Sequence, residues 1–256
     1  IKIVNSTSKE KREKYVKYLY KKLQRDGQLE RDVDRLIRND RVAWGSSMIA
    51  CKDADAMVTG NIRHYAASVE KLKKVVEARS GETIFGMTII VSKGKTILVA
   101  DTNVQDFPSA ERLVNTSISC VRVARLFGFE PKVAFLSHST FGKPISRNTK
   151  HVRDAIELLK TKKVDFDFDG EMQPDVALNP IYQEIYPFSK IVGKANILIM
   201  PALHSAAIST KLMKSFGGAK LIGPLLIGLD LPIEVAPLRS STSDILNLAS
   251  IAASSA

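Results

Sequence analysis

Apolar residues recur at helical spacing through the first eighty positions of the chain. A segment rich in lysine and arginine places Tyr15, Val16 and Leu19 on one stripe, which predicts an amphipathic helix over residues 9–25. Gly27 is placed to end this helix. The same spacing predicts helices near residues 29–37, 42–51 and 64–79, with a short buried strand at 54–60.

After Gly81 the pattern changes to runs typical of β-strands. Residues 84–91 and 96–100 flank the sequence SKGK, which predicts a hairpin. Helical and apolar segments then alternate, with helices predicted at 108–127, 151–160, 174–185, 206–216 and after 243, and strands at 132–136, near 166, at 197–200, and near 221 and 233. This alternation predicts an α/β protein with a largely parallel sheet and antiparallel additions.

Composition narrows the class of protein. The chain has 256 residues, 45% of them apolar, which is enough for one large domain or two moderate ones. Two cysteines, Cys51 and Cys120, are too few for a disulfide framework or a zinc site and suit a reducing compartment. Proline and glycine interrupt the longest apolar runs. We therefore expect a cytoplasmic protein without a membrane segment or a signal peptide.

The net charge of +11 requires a separate explanation. Such an excess attracts nucleic acid, anionic membranes or small phosphorylated ligands. Much of it lies in residues 9–25, between the apolar positions of the predicted helix. This placement favours a solvated helix face over a nucleic-acid interface, and no nucleic-acid-binding motif accompanies it.

Loops that follow apolar runs are candidate sites, because ligands of open α/β sheets lie beyond the carboxyl ends of the strands. The first loop, residues 137–143, offers hydroxyls, backbone amides and a cation to an anion such as phosphate. A polar loop with helix caps explains the same composition.

Three further loops carry candidate groups, each with a simpler explanation beside it. Residues 169–175 hold three carboxylates but match no metal-ligand spacing. His204 follows a strand and suits a general base, yet no serine or cysteine nucleophile motif adjoins it. Ser243 and Asp244 suit the first turn of a helix.

The order of these segments is more specific than their composition. Six phrases occur in sequence: ADAMVTG at 54–60, VAD at 99–101, FLSHS at 135–139, DGEMQ at 169–173, GKAN at 193–196 and IGPLLIGL at 222–229. Together they resemble the phosphate acetyl/butyryl transferase family, from about residue 40 to the end of the chain. The phrases at 186–189, 200–205 and 224–228 resemble the branch of that family that is fused behind bacterial malic enzymes.

The resemblance implies an architecture. We expect two α/β domains of the isocitrate/isopropylmalate dehydrogenase-like kind, with a ligand cleft between them and a homodimer formed through the later domain. The first domain would comprise residues 1–80 and 235–256, and the second residues 81–234. Because the family normally opens with a further strand, we expect the N-terminal part of the first domain to be missing.

The resemblance also identifies a catalytic group that this chain lacks. Active transferases resemble one another in a Ser-Arg-Gly-Cys-Ser phrase before an acid at the start of the last helix. Aligning that acid with Asp244 puts Leu238 at the arginine position, and Arg239 one residue late. Losing an oriented charge donor typically costs about two to three orders of magnitude in rate. We therefore expect weak acyl transfer or none.

The resemblance implies a regulatory, oligomerising domain of NADP-dependent malic enzyme that binds acetyl-CoA or acetyl phosphate. An active phosphate acetyltransferase and a purely structural domain are the alternatives. We expect NADP and a divalent metal to belong to the malic enzyme catalytic region, and we expect that region to lie outside this sequence. The expected catalytic residues are Asp244 and, as a substitute donor, Arg239. The expected ligand-binding residues are Ser137, Ser139, Thr140, Lys143, His204, Lys211 and Ser241.

Overall fold

The computed structural model describes residues 3–6 and 8–256. Its helices are α1 (Lys9–Leu23), α2 (Glu30–Asn39), α3 (Arg41–Ala50), α4 (Tyr65–Leu72), α5 (Ala110–Leu126), α6 (Lys150–Thr161), α7 (Pro174–Leu178), α8 (Leu203–Ser215) and α9 (Thr242–Ser254). Its strands are β1 (Met57–Gly60), β2 (Phe85–Ser92), β3 (Lys95–Ala100), β4 (Lys132–Leu136), β5 (Asp167–Met172), β6 (Ile197–Ile199), β7 (Lys220–Ile227) and β8 (Ile233–Ala236).

The chain divides into two compact units. The first contains the described residues up to Gly81 together with Leu229–Ala256, and the second contains Glu82–Gly228. The assignment of domains at residues 80 and 235, with a dimer interface in the later domain, stays a prediction.

The first unit is a helical layer around a two-stranded parallel sheet. Strand β1 pairs with β8, and Gly60 lies opposite Ala236 in the register. The apolar stripe predicted for α1 is buried, and Tyr15 packs edge-on against Trp44 with ring centroids 4.9 Å apart. Gly27 ends the first helical segment with φ of 78°, as predicted.

A buried carboxylate, Asp40, closes the start of α3. One oxygen accepts hydrogen bonds from the backbone N–H groups of Val42 and Ala43 at 2.8 and 3.2 Å. The other pairs with Arg63 at 3.0 Å and with Lys71. Burial acts to raise the pKa of Asp40. The hydrogen bonds from Lys71, Ala43 and Arg63 outweigh it, so the pKa lies below its usual value.

We expect Asp40→Asn to lower the free energy of unfolding by about 2 kcal/mol near pH 7, because the helix cap and both ion pairs depend on the carboxylate. A lowered folded-state pKa stabilises the protein above the unfolded pKa of about 4, and this contribution is lost as pH falls through the folded pKa. Urea unfolding followed by the fluorescence of Trp44, the single tryptophan, measures the difference at each pH.

The difference between the two proteins should shrink as the pH approaches about 3. Asp55→Asn is the control, because Asp55 is exposed, and it should change stability by less than about 0.5 kcal/mol. An Asp40→Asn effect that stays constant down to that pH contradicts the proposed role of the charge.

The second unit is built on a six-stranded mixed sheet with the order β5-β4-β6-β3-β2-β7. Strands β5, β4, β6 and β3 run parallel, while β2 pairs antiparallel with both β3 and β7. This confirms the α/β class, the largely parallel sheet and the predicted hairpin. The carboxyl ends of β3, β4 and β6 therefore meet at one edge of the sheet.

Several predicted boundaries were wrong. Helix α4 ends at Leu72 rather than near residue 79. Ala78 forms an antiparallel β-bridge with Leu229, which requires extended rather than helical backbone there. Pro180 stops the helix predicted over 174–185, since the residue before a proline is driven toward extended backbone; α7 ends at Leu178.

Two further corrections affect the candidate loops. The phrase DGEM at 169–172 belongs to strand β5 and is not a loop. Helix α8 begins at Leu203, three residues before the predicted start, so His204 lies in its first turn. Among the described helices, none is long and apolar enough to cross a membrane.

Candidate functional site

The loop at residues 137–143, named here the Ser137 loop, leaves the carboxyl end of β4 as predicted. Ser137 is buried, and its hydroxyl lies 3.1 Å from that of Ser139. The Ser139 hydroxyl donates to Glu171 Oε1 at 2.9 Å. Ser137 and Ser139 thus form a short chain of hydroxyls that ends on a carboxylate.

Glu171 holds the Ser137 loop in place from the neighbouring strand β5. Only 1% of Glu171 is exposed. Its Oε1 also accepts from the backbone N–H of Gly142 at 3.0 Å and pairs with Arg153 at 3.3 Å. Among the three carboxylates predicted as a cluster, Glu171 is therefore a structural group of this loop.

Thr140 and Lys143 stabilise the backbone conformation of the same loop. Their backbones pair with each other at 2.8 and 3.0 Å, which closes a tight turn. The Thr140 hydroxyl accepts from the backbone N–H of Gln173 at 3.2 Å. The Lys143 side chain is exposed. Both residues stay predicted ligand contacts.

A cavity of about 430 Å³ lies beyond the carboxyl ends of β4 and β6, and we call it the strand-end cavity. The loops after both strands and the start of α6 contribute to its walls. It is lined by Phe107, Ser137, His138, Thr149, His151, Pro201, Ala202, His204 and Ser205. The structure thus brings Ser137 and His204, two of the predicted residues, to one place.

The first turn of α8 opens onto this cavity. Its N-cap residue, Ala202, has no side chain that can accept a hydrogen bond from the helix. The Leu203 N–H donates to the Asp106 carbonyl at 3.0 Å. The start of a helix favours anions through its backbone N–H groups and dipole. Lys211 lies about two turns further along α8 and is exposed.

Asp101 fixes the segment between β3 and the cavity wall at Phe107. Its carboxylate accepts hydrogen bonds from four backbone N–H groups at 2.8 to 3.1 Å, those of Gly86, Asn103, Val104 and Gln105. Burial raises the pKa of Asp101 to about 6, and these four donors oppose the increase. The VAD phrase therefore has a structural role in this unit.

His151 was not among the predicted site residues, although it lines the same cavity as Ser137 and His204. Its Nε2 lies 2.8 Å from the Pro201 carbonyl oxygen, and its ring packs against Phe107 at a centroid distance of 4.4 Å. His151 lies in the first turn of α6, where its spacing resembles that of any helical residue. The sequence contains no local signal that distinguishes it.

The remaining predicted residues lie in the first unit, at the start of α9. Ser241 is the N-cap, and its hydroxyl and backbone N–H both bond to Asp244 Oδ2, at 2.8 and 2.9 Å. The Asp244 N–H donates back to the Ser241 hydroxyl at 3.2 Å. The two side chains therefore form a capping box, the helix-terminal role weighed for Asp244 from the sequence.

Arg239 follows β8 in a left-handed backbone conformation, with φ of 60°. Its backbone N–H donates to the Asn61 carbonyl at 3.1 Å, which ties the segment after β8 to the end of β1. The Arg239 side chain is exposed. Its predicted role as a substitute donor stays a prediction.

A second cavity, of about 600 Å³, lies within the first unit at the ends of β1 and β8. Arg41 and Arg63 line it, together with Asn61 and Ser68. Asn61 Oδ1 and the Ser68 hydroxyl are buried without a hydrogen-bond partner in the part of the chain that the structure describes. Arg63 was not among the predicted site residues, because it lies in the loop after the strand predicted at 54–60 and no motif in that loop marks it.

Within residues 3–6 and 8–256, no group of three or more histidine, cysteine, aspartate or glutamate side chains is placed to hold a metal ion.

Comparison with known proteins identifies similar chains. A model of the family described as phosphate acetyl/butaryl transferase matches residues 1–253. The NADP-dependent malic enzyme of Rhizobium meliloti (strain 1021) is 44% identical over 253 residues, which are 99% of this chain and 33% of that protein. The phosphate acetyltransferase of Bacillus subtilis (strain 168) is 30% identical over 234 residues, 91% of this chain and 72% of that protein.

A solved structure shares the fold. A phosphotransacetylase from Streptococcus pyogenes matches with a TM-score of 0.89 at 27% identity, covering 98% of this chain and 76% of that chain. The mixed α/β architecture described above is therefore that of a known group of structures. The chain spans about one third of the length of the malic enzymes it matches.

Proposed function

Because this chain belongs to the phosphate acetyl/butaryl transferase family, we propose that it binds acetyl-CoA and transfers acetyl groups weakly or not at all. In this proposal it is the regulatory part of a longer NADP-dependent malic enzyme. The malic enzymes among its relatives support that placement. Malate oxidation, NADP and the divalent metal then belong to another region of the longer protein.

The strand-end cavity is the observation that carries the binding proposal. Its volume of about 430 Å³ suits part of a nucleotide thioester. The Ser137 and Ser205 hydroxyls, the His204 imidazole and the first turn of α8 all border it. These groups donate hydrogen bonds, and phosphate and thioester oxygens accept them.

Two observations favour binding over catalysis. Asp244, one of the two expected catalytic residues, is engaged in the capping box with Ser241. Leu238 occupies the position at which the family resemblance expects an arginine. Without that charge, the developing negative charge of the transition state loses a stabilising partner.

The proposal also includes a domain arrangement and an oligomeric state that go beyond the mixed α/β fold. The isocitrate dehydrogenase-like arrangement, the homodimer and the regulation of malic enzyme activity by acetyl-CoA all stay predictions. Titrating a full-length relative with acetyl-CoA, while following malate-dependent NADPH formation, tests the regulation directly.

We expect calorimetry to show saturable binding of acetyl-CoA to this chain. Ser205→Leu should weaken binding by at least about tenfold, because Ser205 lines the cavity and a larger side chain there takes up space that the ligand needs. Ser215→Leu is the matched control, since Ser215 is exposed at the other end of the same helix, and it should leave binding unchanged. Equal affinities in all three proteins would place the ligand elsewhere.

Catalysis is tested separately with acetyl phosphate and CoA in a coupled assay. We expect a rate about two to three orders of magnitude below that of an active phosphate acetyltransferase measured alongside. A comparable rate would support the alternative function of an active transferase. If Arg239→Gln then abolished that rate, Arg239 would be the substitute donor.

A further inference from the structure

A third cavity, of about 420 Å³, lies in the second unit at the opposite end of the sheet from the strand-end cavity. The β2–β3 hairpin and the residues just before β6 form its rim. Lys93 and Gly94 make the hairpin turn, both with positive φ, as a type I′ turn requires. We call this space the lysine cavity. None of the residues predicted to bind acetyl-CoA lines it.

Three lysines surround the lysine cavity. Lys93, Lys95 and Lys194 all contribute to its lining, and no carboxylate does so among the described residues. None of the three forms an ion pair in the described part of the chain, although many other basic side chains do. A concentration of positive charge of this kind attracts anions.

Lys95 and Lys194 lie close together. The close contact with the Lys95 side chain lowers the pKa of Lys194 below its ordinary value, and the repulsion between their charges adds to this effect. Two ammonium groups held side by side repel each other, and an anion placed between them removes that repulsion.

The inner wall of the lysine cavity is apolar. Ile97, Leu178 and Met213 line it, and all three pack against the buried core cluster of the second unit. Ile90, which belongs to that core, also reaches the cavity. A methionine wall adapts its shape to apolar guests. The site therefore combines a charged rim with an apolar floor.

We propose that the lysine cavity binds a small amphipathic anion, with its phosphate or carboxylate head between Lys95 and Lys194 and its apolar body against Ile97, Leu178 and Met213. The volume is within the range of small-molecule sites. This site is separate from the one proposed for acetyl-CoA, and neither proposal depends on the other.

Methyl NMR tests the proposal on the whole chain. The six methionines are labelled at their methyl groups, and Met213→Leu identifies the Met213 signal. Octyl phosphate and octanoate, each below its micelle-forming concentration, should shift the Met213 signal saturably. Octan-1-ol and inorganic phosphate, which carry only the body or only the head, should each bind at least about tenfold more weakly.

Paired lysine variants locate the head group. Lys95→Gln with Lys194→Gln should weaken octyl phosphate binding by about tenfold, because two charges near the anion are lost. Lys162→Gln with Lys163→Gln removes the same charge from exposed lysines elsewhere in the unit and should leave binding unchanged. Comparison of octyl phosphate with octanoate shows which head group is preferred.

Three results would overturn the proposal: no saturable shift of Met213, equal binding of octan-1-ol, or equal loss in both lysine pairs. Acetyl-CoA calorimetry on the Lys95→Gln, Lys194→Gln protein separates the two sites, because the binding proposed for the strand-end cavity should survive there. If acetyl-CoA binds no form of the chain while octyl phosphate still shifts Met213, only the proposed function fails.

Discussion

Replacing Gly60 by alanine is expected to lower the free energy of unfolding by about 4 kcal/mol. Gly60 has φ of 105°, where an L side chain is strained. A Cβ at this position would lie 2.2 Å from the Ala236 carbonyl oxygen, which is backbone and cannot swing away. Because β1 pairs only with β8 in the described chain, the clash acts on the one strand pair of the first unit.

Urea unfolding followed by Trp44 fluorescence measures this effect, because Trp44 is buried in the same unit. Gly27→Ala is the matched control. Gly27 also has positive φ, at 78°, but nothing lies within 4 Å of its added Cβ. The control should cost about 1 to 2 kcal/mol, the cost of the left-handed conformation alone. If the two variants lose the same stability, the close approach of β1 to β8 is not what restricts position 60.

Replacing Glu171 by alanine is expected to cost about 3 kcal/mol. This change leaves the Ser139 hydroxyl and the Gly142 N–H without their acceptor, and leaves Arg153 without its carboxylate. The Arg153 side chain is 33% exposed, so water recovers part of the lost ion pair. Glu171→Gln, which keeps the shape and removes the charge, should cost less. Far-UV circular dichroism during urea unfolding measures both.

Glu157→Ala makes the same substitution on the exposed surface of α6 and should change stability by less than about 0.5 kcal/mol. The Glu171 variants should also bind acetyl-CoA more weakly, because the loop that carries Ser137 loses its support. Unchanged stability in Glu171→Ala would show that the loop does not need the carboxylate.

Regular elements were predictable where apolar spacing was the deciding factor. Strand β4 begins and ends where the sequence placed it, and the β2–β3 hairpin follows from its turn residues. Apolar spacing did not predict the end of a helix correctly where tertiary contacts determine it, as at the C-terminal end of α4. Val75 and Val76 continue an apolar run after α4, but both are buried by packing that the local sequence does not encode.

The candidate site was predictable at the level of loops and not of side chains. Ligand loops were expected at strand ends, and Ser137 and His204 do line one cavity. Composition alone could not separate them from Ser139, whose hydroxyl turns inward to Glu171 across a gap of 32 residues in sequence. His151 and Arg63 enter their cavities through the tertiary fold, so no local motif marks them.

The family resemblance succeeded because it used the order of whole phrases. The match of a family model over residues 1–253 confirms it. The resemblance could not show that DGEM is a strand whose glutamate supports a neighbouring loop. The resemblance also could not show that the Asp244 carboxylate bonds to Ser241 in the capping box. A catalytic acid and a helix-capping acid would occupy the same position in the sequence.

The path of β6 separates two of the cavities of the second unit. Asn196 borders the lysine cavity and Pro201 borders the strand-end cavity, five residues or about 17 Å further along extended chain. The Debye length is about 8 Å at physiological ionic strength. Counter-ions therefore shield an anion in one cavity from an anion in the other. The affinity of each cavity for its ligand should be the same whether the other cavity is occupied or empty.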